Sequence, residues 1–159
     1  MTARYPLVIN GTTVEEIQTG DTYNLYNNTS ANGISEGTTV SATAATGTIN
    51  FDVITQSLLY YTTSSSGNFT VNFRGNSSTS LNTLMATNQT ITVTFYVTNG
   101  SPAYYNSAIT VDGTSVTPKW QGGTAPTSGN ASATDVYTYA ITKTASATYT
   151  ILASQTKFA

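Results

Sequence analysis

The chain has 159 residues, a net charge of −2, no cysteine and no histidine, which excludes disulfides, Cys-ligated metals and the usual imidazole general base. Its five basic residues (Arg4, Arg74, Lys119, Lys143 and Lys157) are scattered and form no clustered basic face of the kind nucleic acids require. No apolar run approaches the roughly 20 residues of a membrane-spanning helix, and only 8% of positions are charged, so polarity rests on 34 Thr, 17 Ser and 14 Asn.

In chain order, residues 5–21 read "YPLVINGTTVEEIQTGD". Asn10-Gly11 is a tight-turn signal, because both residues tolerate positive φ, and it predicts a small hairpin or a strand followed by a hook. The aliphatics Leu7, Ile9, Val14 and Ile17 are too few for a core and need an external surface. Residues 1–25 are therefore read as an arm for docking or oligomerisation, carried by Tyr5, Leu7, Ile9, Val14 and Ile17. Residues 26–41 have linker composition, rich in Asn, Thr, Ser, Ala and Gly, with room for a short strand near 38–43.

From Gly47 onward the hydrophobic period is 2. "TINFDVIT" sets Ile49, Phe51 and Val53 against Asn50 and Asp52. "SLLYYTT" follows. "NFTVNFRG" turns Phe69, Val71 and Phe73 inward, and "TITVTFYVTN" does the same with Ile91, Val93, Phe95 and Val97. "YYNSAITVDGTSV" contains a strand, an Asp112-Gly113 turn and a short return strand. "DVYTYAITK" alternates Tyr137, Tyr139 and Ile141 with Thr138, Ala140 and Thr142, and "ATYTILAS" pairs with it across a short turn at residues 144–146. β-Branched Thr is the natural polar partner in such strands. One segment departs from the pattern: "STSLNTLMAT" spaces Leu81, Leu84 and Met85 helically after capping Ser and Thr residues, which predicts one short helix near 79–86. The fold class expected is all-β: an antiparallel β-sandwich, jelly-roll-like, spanning 42–159 behind the N-terminal arm.

The candidate recognition residues are Tyr96, Tyr104, Tyr105 and Trp120. Trp120 lies in the most heavily punctuated loop, "TPKWQGGTAPTSGN". It is either a stacking platform or a plug for the edge of the sandwich. The paired tyrosines Tyr60-Tyr61 and Tyr104-Tyr105 must each send one ring outward if they lie in strands. A glycosidase pair would have to be Asp52 with Asp135, and nothing in the pattern brings them together. Asp112 is accounted for by its turn. No catalytic set, cofactor site or metal site is expected, and the chain reads as non-enzymatic.

Two stretches carry a family resemblance. "ARYPLVINGTTVEEIQTGDTYNL" resembles the short leader that opens many fibre and appendage proteins of tailed bacteriophages. The stretch from Gly67 to Ala159, notably Lys119-Trp120-Gln121-Gly122-Gly123 and the Phe158-Ala159 ending, is similar to a β-rich module of virion proteins from marine phages, including those of cyanobacteria. The resemblance implies a structural virion component. With no shaft between leader and sandwich, a capsid decoration or short head fibre is expected before a tail-fibre receptor module. It further implies virion proteins as partners and exposure on the particle surface. A homotrimer is expected because three leaders together could bury Leu7, Ile9, Val14 and Ile17, and "MTARYPLVI" lacks the apolar region of a signal peptide, which agrees with release by lysis. A host surface glycan is a candidate ligand; nucleic acid and membrane are not.

Overall fold

A computed structural model describes the strand backbones of Leu7–Asn10 and Thr13–Glu16 together with residues 35–159. The chain divides into two units between Ile34 and Ser35. In the first unit, β1 (Leu7–Asn10) and β2 (Thr13–Glu16) form the expected hairpin, an antiparallel pair with Ile9 opposite Val14 and Leu7 opposite Glu16.

The second unit is the β-sandwich. Its strands are β3 (Thr38–Ala44), β4 (Gly47–Asp52), β5 (Leu58–Thr63), β6 (Phe69–Arg74), β7 (Thr90–Thr98), β8 (Asn106–Val111), β9 (Thr114–Ser115), β10 (Lys119–Trp120), β11 (Thr134–Ala145) and β12 (Thr148–Phe158). One short helix, α1 (Leu81–Leu84), falls where helical spacing placed it, with Ser80 as N-cap. A six-stranded sheet runs β10-β12-β11-β7-β5-β3, and a four-stranded sheet runs β4-β6-β8-β9. The sheet begins at Thr38, four residues ahead of the expected sandwich boundary.

The alternation is realised as read. Phe51, Phe69, Val71, Phe73, Val93, Phe95, Val97, Tyr137, Tyr139 and Ile141 are buried between the sheets. Their aromatic rings interlock edge to face: Phe69 against Phe95 and Tyr137, and Phe73 against Tyr139 at 4.9 Å. Such pairs contribute beyond their buried area.

Strand direction corrects the antiparallel, jelly-roll expectation. β3·β5, β5·β7, β4·β6, β6·β8 and β10·β12 are parallel, while β7·β11, β11·β12 and β8·β9 are antiparallel. The cause is the path of the chain. From β3 to β8 each successive strand lies in the other sheet, so strands that neighbour one another in a sheet are two apart in sequence. A parallel pair needs a crossover, usually a helix. For the four parallel pairs between β3 and β8 the crossover passes through a strand of the facing sheet, and for β10·β12 it passes through β11 of the same sheet. Period 2 reports which side chains are buried, and it is blind to this choice.

Charged side chains fix the one helix. Asp112 and Gly113 both have positive φ, 50° and 80°, so the β8–β9 connection is a two-residue turn of the primed type. That conformation also presents the Asp112 carboxylate to α1, where it accepts from the backbone N–H of Leu81 (2.7 Å) and Asn82 (3.0 Å). At the other end the buried Lys143 ammonium donates to the carbonyls of Asn82 (2.6 Å) and Met85 (2.8 Å). Anion at the N-terminal end and cation at the C-terminal end match the peptide dipoles. Lys143→Met keeps the apolar stem and leaves both carbonyls without that donor. Urea denaturation of this variant is expected to show a loss of about 1–3 kcal/mol.

Candidate interaction surface

The expected site residues fall in different parts of the structure. Leu7 and Ile9 lie in β1 and Val14 in β2; Tyr5 and Ile17 lie outside the described residues. Tyr96 is on the outer face of the six-stranded sheet, edge-on to Tyr60 at 5.7 Å. Register lines up Val40, Tyr60, Tyr96, Val136 and Thr156 as one row across five strands of that face. Tyr61 points the other way and packs on Phe95 at 5.6 Å, so this tyrosine pair splits between faces as alternation requires.

Tyr104 and Tyr105 are not strand residues. They sit half-buried in the β7–β8 connection, their backbone N–H groups donating to the side-chain oxygens of Asn99 and Asn68 respectively (both 3.2 Å). Opposed faces therefore do not apply to them.

Trp120 is half-buried on β10, in the inner row Trp120–Ala153–Tyr139–Val93. Its ring meets Tyr137 and Tyr139 edge-on, both at 6.5 Å. It thus plugs the sandwich edge and also walls a cleft of about 550 Å³, shared with Ile109, Val116, Pro118 and Lys119. A second cleft of about 480 Å³ lies between Trp120, Gln121, Pro126, Gln155 and Lys157. None of the three candidate tyrosines lines either cleft. The four residues are therefore dispersed over an outer face, a loop and an edge.

Near these loops lies a buried polar cluster centred on Asp135. Its carboxylate has no exposed surface. Oδ2 accepts from Gln155 Nε2 (2.9 Å), Asn99 Nδ2 (3.1 Å) and the Asn130 N–H (3.1 Å). Oδ1 has no hydrogen-bond partner. Gln155 also donates to the Tyr137 hydroxyl (3.1 Å) and the Ser128 carbonyl (3.1 Å), and Asn99 accepts from the Ser65 hydroxyl. A Cβ on Gly129 would meet Asn99 Nδ2 at 2.8 Å, so glycine lets the 121–133 loop close over the cluster. Asp135 and Asp52 have separate partners: Asp52 is ion-paired with Arg74 at 2.6 Å. Among the described residues there is no group of three or more Asp or Glu side chains that could hold a metal.

The cluster was within reach of the sequence pattern. Asp135 and Lys143 occupy the same inward positions as Tyr137, Tyr139 and Ile141, two residues beyond each end of that run. The strand's buried row simply begins and ends on a charge.

Burial pushes the Asp135 carboxyl above the ordinary carboxylate range, against the opposing pull of its Asn130 and Gln155 hydrogen bonds, the charge of Lys157 and the Asn99 bond. A raised folded value means the native state holds its proton longer than the unfolded chain. Ionised Asp135 therefore costs stability above that value, and the cost is relieved as pH falls through it toward the unfolded value of about 3.9. Asp135→Asn should flatten this part of the stability–pH curve. Thermal denaturation of both forms from pH 7 to 4 checks the outcome.

No protein-family model, curated protein or solved structure matches this chain.

Proposed function

We propose that the chain is a non-enzymatic structural protein of a tailed-phage virion, a capsid decoration or short head fibre exposed on the particle surface. The leader docks on other virion proteins, and the sandwich projects from it. The observation that carries this reading is the division at Ile34/Ser35, between a four-plus-four-residue hairpin and a sandwich with its own aromatic core. A two-stranded hairpin is at best marginal alone in water, so it needs a surface, whereas the sandwich does not need the hairpin to fill its interior. The phage-like leader sequence supplies the kind of surface. Three leaders together could bury Leu7, Ile9, Val14 and Ile17, which favours a trimer. A surface rich in Thr, Ser and Asn and poor in ions loses little to electrostatic screening at high salt.

A receptor-binding tail module is the second reading, supported by the Trp120 cleft. A glycan array would show specific binding that Trp120→Phe weakens, the phenylalanine keeping the edge plugged.

Deletion of residues 1–25 tests the leading reading. The truncated chain is expected to fold, judged by a cooperative melt, and to be missing from purified particles that retain the full-length chain. Presence of both forms at equal copy number would overturn it.

A further inference from the structure

The two lateral edges of the sandwich are finished differently. At one edge the sheets end in β9 and β10, two residues each, with Pro118 just ahead of β10 and Gly122 and Gly123 just after. Very short strands and proline are the usual means of making an edge unfit for pairing. At the other edge the sheets end in β3 and β4, seven and six residues long. Neither contains proline or lysine, and β3 contains no charge at all. Among the described residues nothing pairs with the outer side of either strand.

β3 also carries an exposed apolar side chain where an edge strand is normally guarded. Val40 is 62% exposed, and it begins the outer row that continues through Tyr60, Tyr96 and Val136. The pairing of β3 with β5 is regular from Thr38 to Ser41 and shifts only beyond it. This leaves a flat four-residue segment, about 13 Å long, with backbone groups directed outward. Within the two strands the one charge is Asp52 at the end of β4, already matched by Arg74, and Glu36, two residues ahead of β3, accepts from Ser57 Oγ. The paired segment Thr38–Ser41 therefore has no charge of its own with which to select a partner of opposite sign, and none to repel its own kind.

We infer that the β3/β4 edge is a self-pairing surface, and that its occupant is the same edge of a second copy related by a two-fold axis. Only Ala45 and Thr46 separate β3 from β4, so the two strands border the same side of the sandwich. A two-fold axis perpendicular to both sheets would then run β3 antiparallel to its copy and β4 antiparallel to its copy at once. Both sheets would continue across the junction, and the Val40–Tyr96 row would become continuous between copies. This contact is separate from leader trimers, which it would join in pairs. It also stands or falls apart from the virion reading, because it concerns the purified chain.

The chain has no cysteine, so single-cysteine variants give an unambiguous readout. Thr38→Cys, Thr39→Cys, Val40→Cys and Ser41→Cys would each be made in the full chain, with Thr114→Cys on β9 as the comparison. Under mild oxidation at least one β3 position should form covalent dimers at ten or more times the rate of the β9 position. Efficiency should be highest at the position nearest the two-fold axis and fall away on either side, because identical residues separate by twice their distance from the axis and disulfide formation requires Cα separations of about 4.4–6.8 Å. Val40→Lys, which places like charges across the two-fold axis, should weaken concentration-dependent association by about tenfold in sedimentation while leaving the far-ultraviolet spectrum unchanged. Equal cross-linking at β3 and β9, or association indifferent to Val40→Lys, would overturn the proposal. So would β3 cysteines that neither cross-link nor react with a soluble maleimide, since the chain's own leader or another segment would then occupy the edge.

Discussion

Most of the sandwich hangs on one row of side chains, the inward face of β11. Asp135, Tyr137, Tyr139, Ile141 and Lys143 follow one another at every second residue, all buried. The two tyrosine rings lie parallel at 6.4 Å and are gripped by Phe69 and Phe95 on one side, by Phe73 on the other, and by Trp120 at the edge. β11 is also flanked along most of its length on both sides, by β7 and β12. The charges at its ends are answered by neutral dipoles. Side-chain amides and a backbone N–H meet Asp135, and backbone carbonyls meet Lys143. Burying an ion costs heavily unless such groups are fixed in place beforehand. The row therefore dictates the position of the loops that supply them, at 99–105 and 121–133, and of α1.

Around that row the first six strands of the sandwich wind alternately from one sheet to the other. The winding explains how an all-β unit reaches so many parallel pairings without crossover helices. It also gives the unit a beginning and an end, since each circuit adds one strand to both sheets. The end that carries Trp120 closes on short strands, a proline and the cleft. The beginning carries two full strands, and the edge strand β3 consists only of Thr, Ser, Ala and Val. A Thr-rich surface fits both situations, because a hydroxyl can meet water or a neighbouring strand without the desolvation cost of a charge.

Much of this was visible in the residues before any coordinates. Alternation located the buried faces, Asp112-Gly113 its turn, and helical spacing the single helix with its Ser80 cap. Strand direction was not visible, because inward and outward positions are the same whether a neighbour runs up or down. Asp135 and Lys143 were legible in principle, since period 2 carries straight through them. Their residue type points the other way, because Asp and Lys are rarely fully buried. The role of Asp112 in holding α1 depends on a contact thirty residues away in sequence, which no local pattern encodes. Trp120 shows the opposite case. The ring packs on the core at the sandwich edge, as the plug reading has it, and the same ring also walls a cleft. The candidate recognition tyrosines share a residue type and do not share a place.

The alternating path also sets an order of events during folding. A hairpin with a two-residue turn can close within microseconds, and the long β11–β12 pair is of that kind. The strands from β3 to β8 can gain their neighbours only by wrapping across two layers, which demands many distant contacts at once. In this chain the quickly formed piece comes after the slow one. During synthesis β7 must therefore wait, one side unpaired and its core face lacking Tyr137 and Tyr139, until the hairpin emerges. The ribosome thus delivers the keystone after the strands that need it, and the interval before its arrival is when the nascent chain is most open to pairing with a neighbour.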